Sequence, residues 1–235
     1  MTREEPVYFA AGEQTLFGMW SAGDRAPDLA VVLLADAGPG GMVGQGAAMV
    51  RLGRAIAAAG FSVLRFDYRG VGESGGSPPH LRLDDPFLAD LDGALGWLRD
   101  RGRTRFVLVG ACFGAQTAVA AAHRDDVAGL VLLACPVATS LEDADVPVSE
   151  VVRACLRAAA SRGLPALACY GSDDVLYRQF AAHDELRDGL DVQVLPGELH
   201  SFVDVGVQDD TVRTVTEWIA SAIADRALIS GADGA

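Results

Sequence analysis

The chain predicts an α/β protein: a mostly parallel, twisted sheet of about eight strands with helices on both faces. Three observations carry this. Short continuous apolar runs recur along the chain and suit strands buried on both faces. Stretches with helical apolar spacing lie between them. Glycine-rich loops close several of the apolar runs at their carboxyl ends.

Val7–Ala10 and Leu16–Trp20 flank Ala11-Gly12-Glu13 and read as an antiparallel edge hairpin. Leu29–Ala35 is a buried strand that runs into Asp36-Ala37-Gly38-Pro39-Gly40-Gly41. Ala48–Ala59 is a helix stopped by Gly60. Ser62–Phe66 is a strand, followed by a loop from Asp67 to Gly72. Asp85 is placed as an N-cap with Pro86 at the first helical position, and Leu88, Leu91, Leu95 and Leu98 share a face of the helix that follows. Phe106–Gly110, Gly114–His123 and Val127–Ala134 read as strand, helix and strand. From Pro136 to about Arg162 the rhythm breaks into a polar loop and an alanine-rich helix, read as a short lid insertion in a single domain of residues 1–235. Ala166–Gly171 is a strand, Tyr177–Leu190 a helix, Val192–Leu195 a strand, and Asp210–Asp225 a last helix burying Val212, Val215, Trp218, Ile219 and Ala222, before a frayed tail at 230–235.

Composition narrows the function. The net charge of -13, from 19 basic against 32 acidic residues, repels phosphate backbones and anionic lipid headgroups. Neither nucleic acid nor a membrane is expected as a partner. The charged opening, Met1 to Pro6, leads into no apolar signal core, so a cytoplasmic location is expected. The four cysteines, Cys112, Cys135, Cys155 and Cys169, lack metal-ligand spacing and are expected as free thiols, with no metal and no cofactor.

Val107-Leu108-Val109-Gly110-Ala111-Cys112-Phe113-Gly114-Ala115 is the most informative run. It sets G-x-C-x-G between a buried strand and a helix. A nucleophile on so sharp a turn needs very small neighbours two positions away, which Gly110 and Gly114 provide. The turn lifts Cys112 above the strand ends and aims the first helix amides at it, so its thiol pKa is expected to be depressed. With Val63-Leu64-Arg65-Phe66-Asp67-Tyr68-Arg69-Gly70-Val71-Gly72-Glu73-Ser74, this run resembles the α/β-hydrolase superfamily from about Leu29 to Ala121. Together with Ala37-Gly38-Pro39, the chain is similar to the small hydrolases associated with exosortase systems. The cysteine in the elbow resembles dienelactone hydrolases instead.

A cysteine nucleophile needs a base. His123 and His183 fall at or within helices, and His80 lies in the loop after Ser74, able to approach a substrate but fixed by nothing. His200 follows the last strand, where the resemblance places the catalytic histidine. The resemblance also puts the orienting acid three residues after Gly171, at Asp174, leaving Asp173 as a turn residue. A tetrahedral intermediate requires two amide donors. One is the amide of Phe113. The other is that of Gly38 or of Ala37, depending on which family's loop is matched; Pro39 has no N–H. Asp36 is either a carboxylate facing the resting thiol, as in dienelactone hydrolases, or a loop carboxylate capping its own backbone.

The expected reaction is hydrolysis of a thioester, activated ester or lactone through a Cys112-His200-Asp174 triad. A thiolate leaves easily, so activated acyl groups suit it better than alkyl esters or amides. The short lid implies an open site able to take a small-molecule acyl substrate, including a carrier-bound one, on a monomer or homodimer. The alternatives are a non-hydrolytic acyltransferase, cyclase or lyase, and an inactive binding module.

Overall fold

Eight strands form one sheet in the order β1-β2-β4-β3-β5-β6-β7-β8 in a computed structural model that describes residues 3–36, 38, 40–78, 85–138 and 146–223. β1 (Glu5–Ala11) and β2 (Gln14–Ser21) make the antiparallel edge hairpin, and β2 joins β4 (Ser62–Phe66) antiparallel. β3 (Leu29–Leu34), β4, β5 (Arg105–Ala111), β6 (Val127–Leu133), β7 (Ala166–Gly171) and β8 (Asp191–Leu195) are parallel to one another. Every residue of β3, β4 and β7 is buried, as their unbroken apolar runs require, whereas β8 is an edge and mostly exposed.

Helix α1 (Ala48–Ala58) packs with α6 (Val205–Trp218) on one face, and α2 (Leu88–Arg99), α3 (Phe113–Ala120) and α4 (Glu150–Ser161) lie side by side on the other. Three helix boundaries depart from the sequence expectation. α2 starts at Leu88, with Phe87 rather than Asp85 at its N-cap position, and Asp85 is exposed. The Leu88 amide donates back to the Pro86 carbonyl, and the buried ring of Phe87 packs on Tyr68 and Phe113, so tertiary burial sets the start. The expected helix over 177–190 is a seven-residue α5 (Val175–Ala181) followed by a single 3-10 turn (Asp184–Leu186). His183 sits at the break, outside either helix, with φ -131°. α6 begins five residues before Asp210, because the Asp204 carboxylate caps the amides of Gly206 and Val207. Its inner face accordingly runs through Val207, Gln208, Thr211 and Val215, with Ile219 in a following π turn; Val212, Trp218 and Ala222 are only partly buried.

Between β6 and β7, α4 lies against α3 and buries Val152, Leu156 and Ala159, and an Ala138–Val148 bridge closes the loop at its base. Residues 139–145 of the expected insertion and the tail from 224 onward lie outside the described residues. Among the described residues, no helix is long and apolar enough to cross a membrane.

Candidate active site

The carboxyl ends of the parallel strands converge on one pocket, the usual place for a site in an open α/β sheet. Cys112 follows β5 and adopts φ 48°, ψ -111°, a conformation that costs on the order of 1–3 kcal/mol for a residue with a Cβ. Three contacts hold it there. Its amide donates to the Leu133 carbonyl at 2.9 Å, and its own carbonyl accepts from Ala115 at 3.0 Å and Gln116 at 3.3 Å. The glycines behave as the turn demands. A methyl on Gly110 would meet the Gly114 carbonyl oxygen at 2.3 Å, and one on Gly114 would meet the Leu34 carbonyl oxygen at 2.0 Å.

His200 Nε2 lies 3.2 Å from Cys112 Sγ. The loop that carries the ring is tied to Asp174. Its Oδ1 accepts from the amides of Leu199 at 3.1 Å and His200 at 3.2 Å, and its Oδ2 from that of Gly171 at 2.8 Å. Asp174 is thus brought to His200, but its hydrogen bonds run to the backbone of the loop. Among the described residues none joins it to the imidazole ring. Burial raises its pKa above the ordinary carboxylate value, against those amides, which lower it. Asp173 is exposed, accepts from Ser172 Oγ at 3.1 Å and donates its amide to the Gly197 carbonyl, as a turn residue should. His123 is exposed and bonded to the Ala120 carbonyl, and His80 lies outside the described residues.

The expected depressed thiol is corrected. Burial, the largest cause, pushes the Cys112 pKa up to about 11; the Phe113 amide works the other way, and the Asp36 charge adds to the rise. A thiol only 8 % exposed loses more solvation than one helix terminus returns. Cys135 and Cys169 are raised by burial as well.

On the β3 side, Asp36 bonds to its own loop and shares a pocket with the thiol. Its Oδ1 accepts from the Gly38 amide at 3.1 Å, and it lines the pocket beside Cys112. The Gly38 N–H is therefore not free to meet an oxyanion in this arrangement. Ala37 lies outside the described residues. The following turn is held from β4: the Met42 amide donates to Asp67 Oδ1 at 2.7 Å, and Ser74 Oγ donates to the Asp67 carbonyl at 2.7 Å.

Among the described residues the space over the thiol is small, about 10 Å³, where the short lid predicted an open site. Asp36, Gly44, Gln45, Ala48, Met49, Ala111, His200 and Phe202 surround Cys112. Sequence reading missed Met49 and Phe202, and also Gln208, which is buried, donates to the Phe202 carbonyl and accepts from Arg51 at 2.6 Å. Phe202, two residues after His200, had position as a signal; Gln208 had none.

The family described as serine aminopeptidase, S33 (Hydrolase_4) matches residues 30–189. An esterase of Pyrococcus furiosus superposes with a TM-score of 0.70 at 19% identity, over 94% of this chain and 92% of that one. A lidless α/β serine hydrolase of Xanthomonas campestris gives 0.71 at 20%, over 95% and 96%. Est1E of Butyrivibrio proteoclasticus, solved with ferulic acid bound, gives 0.69 at 17%, over 93% and 99%. No curated protein matches the chain. With the match spanning β3 to the end of the α5 region, the chain belongs to this S33 family of hydrolases and has the α/β-hydrolase fold.

Proposed function

We propose that the chain hydrolyses an ester, thioester or activated lactone through an acyl-cysteine on Cys112. One observation carries the reading: a thiol at a strained strand-to-helix turn lies 3.2 Å from His200 Nε2. The matching family is described as serine aminopeptidases and a structural neighbour is an esterase, both of which support acyl-bond cleavage at this turn.

Cys112 Sγ gives its proton to His200 Nε2 while attacking the carbonyl carbon. The carbonyl oxygen takes the negative charge beside the Phe113 amide, with a second donor from the loop after β3. Collapse breaks the bond to the leaving oxygen or sulfur, which departs with the proton from His200. Water then attacks the acyl-cysteine, gives a proton to His200, and releases the acid; the proton returns to Sγ. Asp174 holds the His200 loop in register throughout. A thiol with a pKa near 11 is almost wholly protonated at neutral pH, so transfer to His200 has to accompany attack.

Intact mass spectrometry tests this. Brief exposure to aryl esters and thioesters is expected to add one acyl mass on the Cys112 peptide, and Cys112→Ala should show no adduct and no turnover. Turnover retained in Cys112→Ala above a few per cent would rule out the covalent route.

A further inference from the structure

The His200 loop is tied down from two directions. Asp174, just after β7, accepts from the amides of Leu199 and His200. From α6, Gln208 donates its side-chain Nε2 to the Phe202 carbonyl, and Arg51 of α1 donates to Gln208 Oε1 at 2.6 Å. Gln208 is 2 % exposed. Its partners fix which way the carboxamide faces. A guanidinium only donates, so Oε1 has to meet Arg51, and Nε2 is left for a carbonyl. The charge on Arg51 also polarises the carboxamide and strengthens its bond to Phe202. Arg51 is itself held by Asp209, the next residue on α6.

Phe202 needs such a hold. Its φ is 50°, a conformation rare for a bulky side chain and kept only where the surroundings impose it. Its amide closes a turn on the Leu199 carbonyl at 3.1 Å. His200 lies inside that turn, which is fixed by Asp174 at one end and by Gln208 at the other. Phe202 is buried and lines the space over the thiol. The loop after β3 is shaped to accept the Gln208 side chain. A methyl on Gly46 would stand 2.4 Å from Gln208 Nε2 and 3.1 Å from the Phe202 carbonyl oxygen. Gly44 and Gln45, just before it, line the same space as Phe202. Gln208 thus sits where the His200 loop, the loop after β3 and helices α1 and α6 meet.

Resting on the acyl-hydrolase reading, we propose that Gln208, oriented by Arg51, is a positioning residue of the active site. It acts through the Phe202 carbonyl. That bond keeps the 199–202 turn in its strained form, and the turn keeps His200 Nε2 at 3.2 Å from Cys112 Sγ. Without the bond, Phe202 relaxes to a negative φ, His200 shifts, and the space over the thiol opens.

Gln208→Glu isolates the bond. It preserves the side-chain shape and the Arg51 contact. The guanidinium keeps the new carboxylate ionised, so no donor faces the Phe202 carbonyl. On an aryl ester, kcat is expected to fall about tenfold with KM within about twofold, because the loop keeps its Asp174 bonds and a full 1 Å misplacement costs about 10². Iodoacetamide labelling of Cys112, assigned by peptide mapping, should rise several-fold, because burial is the main cause of its raised pKa. The core thiols Cys135 and Cys169 should stay protected. Unfolding would expose all three, so the pattern separates positioning from lost stability. Labelling requires no turnover, and it tests Gln208 even if the wild type hydrolyses nothing. Arg51→Met, which frees the carboxamide to turn, should show both changes to a smaller extent. Arg213→Ala, which removes an exposed ion pair on the same helix, should show neither. An unchanged Cys112 labelling rate in Gln208→Glu, labelling of Cys135 and Cys169 in step with Cys112, or activity lost through KM alone would each overturn the proposal.

Discussion

On the β8 side of Cys112, the backbone amides of Leu199 and His200 end on one buried carboxylate; on the β3 side, the Gly38 amide ends on a carboxylate of its own loop. The first arrangement holds a proton acceptor 3.2 Å from sulfur before any substrate arrives. The second engages the Gly38 amide, one of the two candidates for the second oxyanion donor, with Asp36. Both sides use an aspartate accepting backbone N–H groups, yet with opposite consequences. Asp174 fixes the loop that carries His200, and Asp36 ties up an amide of the loop after β3.

Removing the fixed half is expected to have the largest effect. In Asp174→Asn the side-chain NH₂ would face amides that now donate to a carboxylate, leaving up to two of them unpaired. Each charged hydrogen bond of this kind is worth about 1.5–3 kcal/mol, so thermal melting should fall visibly. Activity should drop by on the order of 10², the scale of a small misplacement of a reacting group, because Asp174 acts on His200 through its loop. Asp173→Asn, one residue away and exposed, should stay within about 0.5 kcal/mol of wild type and keep its rate. The reverse ranking, in a paired melting and kinetic measurement, would break the comparison at its stronger side.

The thiol itself reports on the balance between the two halves. With its pKa at about 11 against an ordinary value near 9, Cys112 at pH 8 should carry about a hundredfold less thiolate than a solvated cysteine. Iodoacetamide modification of Cys112 is expected to rise tenfold per pH unit up to about pH 11, rather than level off near 9. Stability follows the same sign. The folded state keeps the proton longer than the unfolded state, so this contribution is complete below pH 9 and is lost as pH rises from 9 to 11. Cys112→Ser should lack that loss, and chemical denaturation across the interval compares the two.

How much of this could be read in advance depended on whether a feature is local. The strands were legible because full burial writes itself as an apolar run, and Ser62–Phe66 and Ala166–Gly171 are observed at their expected limits. The elbow was legible because its steric demand falls on Gly110 and Gly114, both within two residues of the thiol. Helix starts were less so, since Phe87 begins α2 where its ring finds Phe113, and a local cap signal at Asp85 carries no knowledge of that ring. The thiol pKa went the wrong way for the same reason. The helix terminus is visible in sequence, whereas desolvation is a sum over the whole fold. Gln208 was invisible, because its partners Arg51 and Phe202 come from different elements.

Releasing the resting half should have the smallest effect and sharpens the comparison most. Asp36→Ala removes the acceptor of the Gly38 amide and the charge that helps raise the Cys112 pKa. Both changes favour reaction: the amide becomes free for an oxyanion, and the thiolate becomes easier to form. Burial remains and is the larger cause, so the pKa should move only part of the way back towards 9. Iodoacetamide modification at pH 8 is expected to rise several-fold, and kcat/KM on an activated aryl ester to rise by a smaller factor. Asp36→Asn separates the two contributions, because an asparagine oxygen still accepts from Gly38 while the charge is gone. It should reproduce the gain in labelling without the gain in kcat/KM. If Asp36→Ala instead lowers kcat/KM while labelling rises, the carboxylate is needed to shape the loop for catalysis, and the β3 side is as preorganised as the β8 side.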